Sequence, residues 1–198
     1  MEPSNKTTAI EVRANGVPAV FETRISMFDF IKRAISRPKN PTADLGLIIH
    51  EQLVIDFDQS KLNSISMKSG IEGVKGLGRA SGSGMNPITA TLDYLESGFS
   101  LTFEHNELVI VKTYLTNPSS TPSMRTLGNV TVIKNGEPVE IRKETSFGQL
   151  CKGLGDPDDG YDFEDDFAFL CWTVEKRSLH IEYDRNEGVD SVEFIVDD

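Results

Sequence analysis

No apolar run in the chain approaches the roughly 18 residues needed to cross a bilayer, and no basic and then apolar leader opens it. Neither a membrane location nor a secreted one is expected, which leaves the cytoplasm. Cysteine is scarce as well. Cys151 and Cys171 sit in apolar contexts without metal-ligand spacing and read as buried thiols in a reducing compartment. The three histidines (His50, His105 and His180) are scattered. The chain holds no H-E-x-x-H, and no serine or cysteine has a recognisable nucleophile context. Trp172, the single tryptophan, falls in an apolar run and is expected in the core. No catalytic residue, cofactor or metal is expected from this set.

The glycine-rich segment "GIEGVKGLGRASGSG" (70–84) invites a phosphate-cradle reading, which fails in detail. "GLGRASG" is not G-x-G-x-x-G, because its third glycine comes one residue late. Lys75 is not placed as in G-x-x-x-x-G-K-[ST] either. The segment is expected as a mobile surface loop.

What the chain has in excess is acid, and it is concentrated. The net charge is −11. Residues 1–68 carry eight acids and nine bases, residues 69–128 five and four, and residues 129–198 eighteen and seven. The whole excess lies in the last third. Such a field repels nucleic acid and anionic membrane and attracts basic proteins.

The chain also echoes itself. "VRANGVPAVFETRIS" aligns with "VIKNGEPVEIRKETS", matching Asn15-Gly16 to Asn135-Gly136, Pro18 to Pro138 and Ser26 to Ser146. Each reads as an Asn-Gly hairpin followed by a serine-capped helix, "SMFDFIKRAIS" or "SFGQLCKGLG". Further on, "LVIDFDQSKLNSISM" (53–67) parallels "LHIEYDRNEGVDSVEF" (179–194), each alternating like a half-buried antiparallel hairpin. Strand candidates "LGLIIHE" and "FAFLCWTVE" precede them. Between the copies, "NPITATLDYLESG" reads as a helix with Asn86 as cap, Pro87 first, and Ile88, Leu92 and Leu95 on one face. "FSLTFEHNELVIVKTYL" then reads as a hairpin turning at His105-Asn106.

The expected fold is therefore α+β, with two related lobes of antiparallel hairpin, helix and three-stranded meander. The first lobe spans 1–115, with the glycine-rich insertion at 70–84 and an extra helix and hairpin at 86–115. A linker spans 116–128, and the acidic second lobe spans 129–198.

Within the acidic lobe, "DPDDGYDFEDD" (156–166) places seven carboxylates in eleven positions. An EF-hand register with Gly160 at the sixth position puts Gly155 first and Pro157 third, and neither supplies a side-chain oxygen. Acid/base chemistry needs two carboxyls in contrasting environments, whereas these lie side by side on an expected exposed loop. A solvated turn and a protein-docking surface remain. Tyr161 and Phe163 interleaved among acids favour docking, through Asp156, Asp158, Asp159, Tyr161, Asp162, Phe163, Glu164, Asp165 and Asp166.

The segments "NGEPVEI", "SFGQLCKGLGDPDD", "FLCWTVE" and "LHIEYDRNEGVDSVEFIV" resemble small bacterial domains found among immunity proteins encoded beside polymorphic and type VI secretion toxins. The match covers 129–198 and, more loosely, 9–67, where "SRPKNP" replaces L-G-x-P (Leu154, Gly155 and Pro157). The resemblance implies a non-enzymatic, stoichiometric inhibitor that binds a cognate toxin in the cytoplasm and blocks its active site. The acidic lobe independently suits a toxin with a basic cleft. An adaptor or chaperone for a secreted effector is the alternative, and a divalent-metal or nucleotide-binding enzyme a third reading.

Overall fold

Alternating apolar and polar residues build a series of β-hairpins in this computed structural model. The structure describes the backbone of residues 9–12, 18–21, 40–118, 123–163 and 167–197, and the side chains of 40–118, 123–160 and 167–197. Two compact units divide the chain, Met1–Pro38 and Lys39–Asp198. In the first, β1 (Ala9–Val12) pairs antiparallel with β2 (Pro18–Phe21), as the Asn15-Gly16 signal predicts. The helix expected over 26–36 lies outside the described residues.

The second unit holds two sheets. The five-stranded sheet has the order β11-β10-β3-β4-β5. Its strands are β3 (Gln52–Asp56), β4 (Lys61–Leu62), β5 (Ile65–Ser66), β10 (Asn129–Lys134) and β11 (Glu137–Ile141). The eight-stranded sheet has the order β12-β13-β14-β15-β9-β8-β7-β6. It is built from β6 (Gly82–Met85), β7 (Thr89–Tyr94), β8 (Phe99–Glu104), β9 (Glu107–Tyr114), β12 (Asp159–Phe163), β13 (Phe167–Val174), β14 (Arg177–Asp184) and β15 (Gly188–Val196).

Turn chemistry sets the registers. Asn135 and Gly136 have φ of 56° and 77°, and His105 and Asn106 have 49° and 67°. Two successive positive φ values make the type I′ turn whose twist matches the flanking strands. Hence β10 folds onto β11, and β8 onto β9. Asp58 fastens the first of these turns by accepting from the backbone N–H of Asn135 and Gly136, at 3.0 and 2.8 Å.

The two sheets share one core. Leu53, Ile55, Val130, Val132 and Ile141 come from the smaller sheet; Leu101, Val111, Trp172, Leu179, Ile181 and Phe194 come from the larger. Phe57, just beyond β3, meets Phe194 with ring centroids 5.7 Å apart. Helix α1 (Phe147–Leu154) buries Leu150 and Leu154 in the same core. Its start is the expected one. Ser146 and Gln149 form a reciprocal capping box that satisfies two otherwise orphaned N–H groups. It packs against β11 closely enough that a Cβ at Gly153 would lie 2.6 Å from Val139 Cγ1.

The expected α+β fold of two related lobes is not what forms. Strand pairing overturns it. β10 pairs in parallel with β3, and β15 pairs antiparallel with β9. Residues 129–196 thus supply strands to both sheets, and residues 116–128 connect strands of the same two sheets. The echoing segments also part company: 53–67 builds the small sheet and 179–194 the large one. The described residues are mostly strand, with only α1 and the 3-10 helix Ile71–Leu77 as helices.

The helix expected over 86–98 is instead β7, flanked by turns. Asn86 still bonds like a cap, its side chain accepting from the N–H of Ile88 and Thr89 at 2.9 and 2.7 Å. It closes an Asx-turn rather than starting a helix. β-Branched Thr89 and Thr91 then suit a pleated strand paired with β8. The apolar stripe is no stripe: Ile88 is 58% exposed while Leu92 is fully buried. Residues 45–51 form no strand, and Leu47, Ile48 and Ile49 are exposed. The glycine-rich segment forms the 3-10 helix, with Val74 and Leu77 buried, and then strand β6, rather than the expected loop.

Candidate functional site

The acidic stretch was expected as an exposed loop, and its residues 159–163 lie instead at one end of the eight-stranded sheet. Its middle is β12, the edge strand, paired with β13 from Asp159↔Cys171 to Phe163↔Phe167. The approach to β12 is fixed by three contacts. Gly155, beyond the end of α1, accepts a hydrogen bond from Trp172 Nε1 at 2.9 Å. Asp158 donates its N–H to the Cys171 carbonyl at 2.8 Å. Its carboxylate accepts from the Thr173 N–H at 2.6 Å. Asp156, Asp158 and Asp159 are exposed, and no described cation lies within ion-pair distance of them. Tyr161, Asp162 and Phe163 are described by backbone alone, and Glu164, Asp165 and Asp166 lie outside the described residues. The structure therefore brings Asp156, Asp158 and Asp159 together and is silent on the remaining six side chains.

A second polar constellation crosses the outward face of the same sheet. One cross-strand row reads Asp93, Ser100, Lys112, Glu193, His180, Cys171 and Asp159, from β7 to β12. Flanking residues Val111 and Phe194 point to the core, so alternation turns Lys112 and Glu193 outward. Lys112 Nζ sits 3.0 Å from Glu182 Oε1, and Ser191 Oγ donates to Glu182 Oε2 at 2.5 Å. His180 Nδ1 is 3.7 Å from Glu193 Oε2, an ion-pair separation rather than a hydrogen bond, and its ring meets Phe169 edge-on at 4.9 Å.

These contacts tune the charges. The His180 imidazole holds the Glu193 carboxyl below its ordinary range, burial works against this, and the Lys112 charge adds to it. Burial alone would lower Lys112; the hydrogen bond and charge of Glu182, with the charges of Glu193 and Tyr114, outweigh it and raise the ammonium. Burial pushes Asp93 up. An open cleft of about 820 Å³ lies over Lys112, Tyr114, Glu182 and Ser191, walled by Asp184 and Asp190. Lys112 pairs there with Glu182 and Lys143 with Glu187, while Asp184 and Asp190 make no ion pair among the described residues, so the cleft is acidic as well.

The sequence reading passed over this outward row. The alternation of β8, β9, β13, β14 and β15 was legible, but β7 was expected as a helix and β12 as a loop, and adjacency across the sheet depends on a strand order that no single segment encodes. Trp172 is fully buried, as expected. Both cysteines are free thiols, and they are half-buried where burial was expected. Burial, and then the neighbouring Asp156 charge, raise the Cys151 thiol. Among the described residues, no three His, Cys, Asp or Glu side chains converge to hold a metal ion. No helix among them is long and apolar enough to cross a membrane.

No family profile matches the chain, and no curated protein matches it. Solved structures similar to the chain at low identity include two proteins. One is a DUF4309 family protein (YjgB) from Bacillus subtilis subsp. subtilis str. 168, 13% identical, with a TM-score of 0.43, covering 67% of this chain and 82% of that one. The other is a cysteine-rich secretory protein (SAV1118) from Staphylococcus aureus subsp. aureus Mu50, 9% identical, with a TM-score of 0.41, covering 66% of this chain and 44% of that one. Likenesses this distant carry nothing about activity, partners or location.

Proposed function

We propose that this chain is a non-catalytic, cytoplasmic binding protein that captures a basic partner protein on the acidic end of its eight-stranded sheet. The observation that carries this reading is the exposed Asp156, Asp158 and Asp159, without an ion pair among the described residues and held by a fixed backbone at the start of an edge strand. Fixed acids lose little conformational freedom on binding, and a field of one sign steers an opposite partner and speeds encounter. The motif resemblance at 129–198 supports a particular form of this activity, an immunity protein that neutralises a basic toxin domain by covering its active site.

The test is capture from the source lysate at low and then high salt, followed by assay of whatever is captured. One basic protein, released by salt and inhibited at one-to-one stoichiometry, is the expected result. Asp156→Asn combined with Asp159→Asn should weaken capture about tenfold and flatten its salt dependence. Capture unchanged by that double variant would overturn the reading. A captured protein that keeps its full activity would instead point to an adaptor.

A further inference from the structure

The sheets of the Lys39–Asp198 unit end in four edge strands, and these differ in how far they are closed to further pairing. β11 contains Pro138, which has no N–H to offer, and has α1 packed against it. β5 is two residues long. β6 is four residues, two of them glycine. β12 has five residues and no proline, and among the described residues nothing pairs with its outer side. Edge strands are ordinarily blunted by shortness, proline, bulges or charge, because an open row of backbone N–H and C=O groups is a template for another strand. Of these devices β12 has only charge, and charge discriminates among partners instead of refusing all of them.

Its sign decides what can dock. Asp159 and Asp162 lie within the strand, and Asp156 and Asp158 lead into it. A second copy of this chain laid along the edge would bring carboxylates opposite carboxylates, an arrangement that destabilises strand pairing. A segment carrying lysine or arginine would place opposite charges across the new pair. The edge is also formed in advance: Asp158 is bonded through its N–H and its carboxylate to β13, and Gly155 is held by Trp172.

We propose that β12 is a docking edge that accepts an extended, lysine- or arginine-rich segment of a partner protein as a ninth strand of the sheet. Main-chain hydrogen bonds supply the affinity and the acids select the sequence, a known mode of peptide capture. The proposal rests on the reading of the chain as a binder of a basic partner and specifies how that partner engages.

The experiment uses the full chain and three synthetic octapeptides at low salt, read by peptide binding and amide hydrogen exchange. The first alternates lysine and valine. The second has the same sequence with alternate backbone nitrogens methylated, which keeps the charge and removes strand pairing. The third alternates glutamate and valine. The lysine–valine peptide should bind and slow exchange at 159–163 by about tenfold or more. The methylated peptide should bind at least about tenfold more weakly without that protection, and the glutamate–valine peptide should not bind. Equal binding by the first two peptides, with no protection of 159–163, overturns strand addition while leaving capture by charge standing. Failure of both lysine peptides to bind overturns strand addition and the acidic-end reading together.

Discussion

Gly188 is where a single side chain would do most damage. It opens β15 at φ 100°, a conformation L residues rarely adopt, and a Cβ there would intrude on the Lys143 carbonyl oxygen. That same oxygen accepts the Val189 N–H at 2.8 Å, so it cannot retreat without losing a bond. Gly188→Ala should therefore cost more than about 2 kcal/mol, from left-handed strain and the clash together. Urea unfolding followed by tryptophan fluorescence reads it through buried Trp172, and a cost under about 0.5 kcal/mol would refute the placement. At this scale Trp172 was legible beforehand, since a lone tryptophan within "FLCWTVE" has few places to go but the core. Asn86 was not. A helix cap and an Asx-turn use the same side-chain oxygen on nearby N–H groups, and only the residues beyond them decide which one forms.

Among the elements, those specified locally were readable and those needing a distant partner were not. α1 is of the first kind. Its capping box lies wholly within Ser146–Gln149, and its buried Leu150 and Leu154 are one turn apart. Ser146→Ala removes the acceptor for the Gln149 N–H and should destabilise the protein by about 1 kcal/mol without altering the sheets. Thermal melts with circular dichroism check this, and an unchanged midpoint would mean that the box contributes nothing. The His105-Asn106 and Asn135-Gly136 hairpins were equally legible, because two residues with positive φ already commit the flanking strands to pair. β7 and the acidic β12 were not. Each is a strand because β8 or β13 lies beside it, and "TATLDY" or "DGYDF" alone carries too weak a signal.

For the whole molecule, acid should act through the outward row of the large sheet. Glu193 is held below its ordinary range by His180, against burial, with help from Lys112, and Glu182 shares the same lysine. A carboxyl depressed by folding contributes stability that is complete above its ordinary value of 4.5 and is lost as pH falls through its folded value. Asp93, raised by burial, works in the opposite sense over the acid range, so the difference between variant and parent isolates Glu193. Glu193→Gln should lower stability by about 0.5–1 kcal/mol at pH 7 and have progressively less effect below about pH 4.5. A difference independent of pH from 7 to 3 would show that the row is not electrostatically coupled.

By itself the sequence determined the hairpins, the capped helix α1, the burial of Trp172 and the concentration of acid after residue 128. All of these rest on interactions within about twenty residues or on composition. Tertiary structure alone decided that β3 lies parallel to β10, that β9 lies beside β15, and hence that two echoing segments build different sheets. It also placed Asp159–Phe163 of the acidic stretch on a sheet edge instead of a loop and aligned Asp93, Lys112, Glu193 and His180 in one row. Strand alternation says which face a residue takes. Which strand becomes its neighbour is settled by the burial of two sheets in a common core, a property of the whole chain.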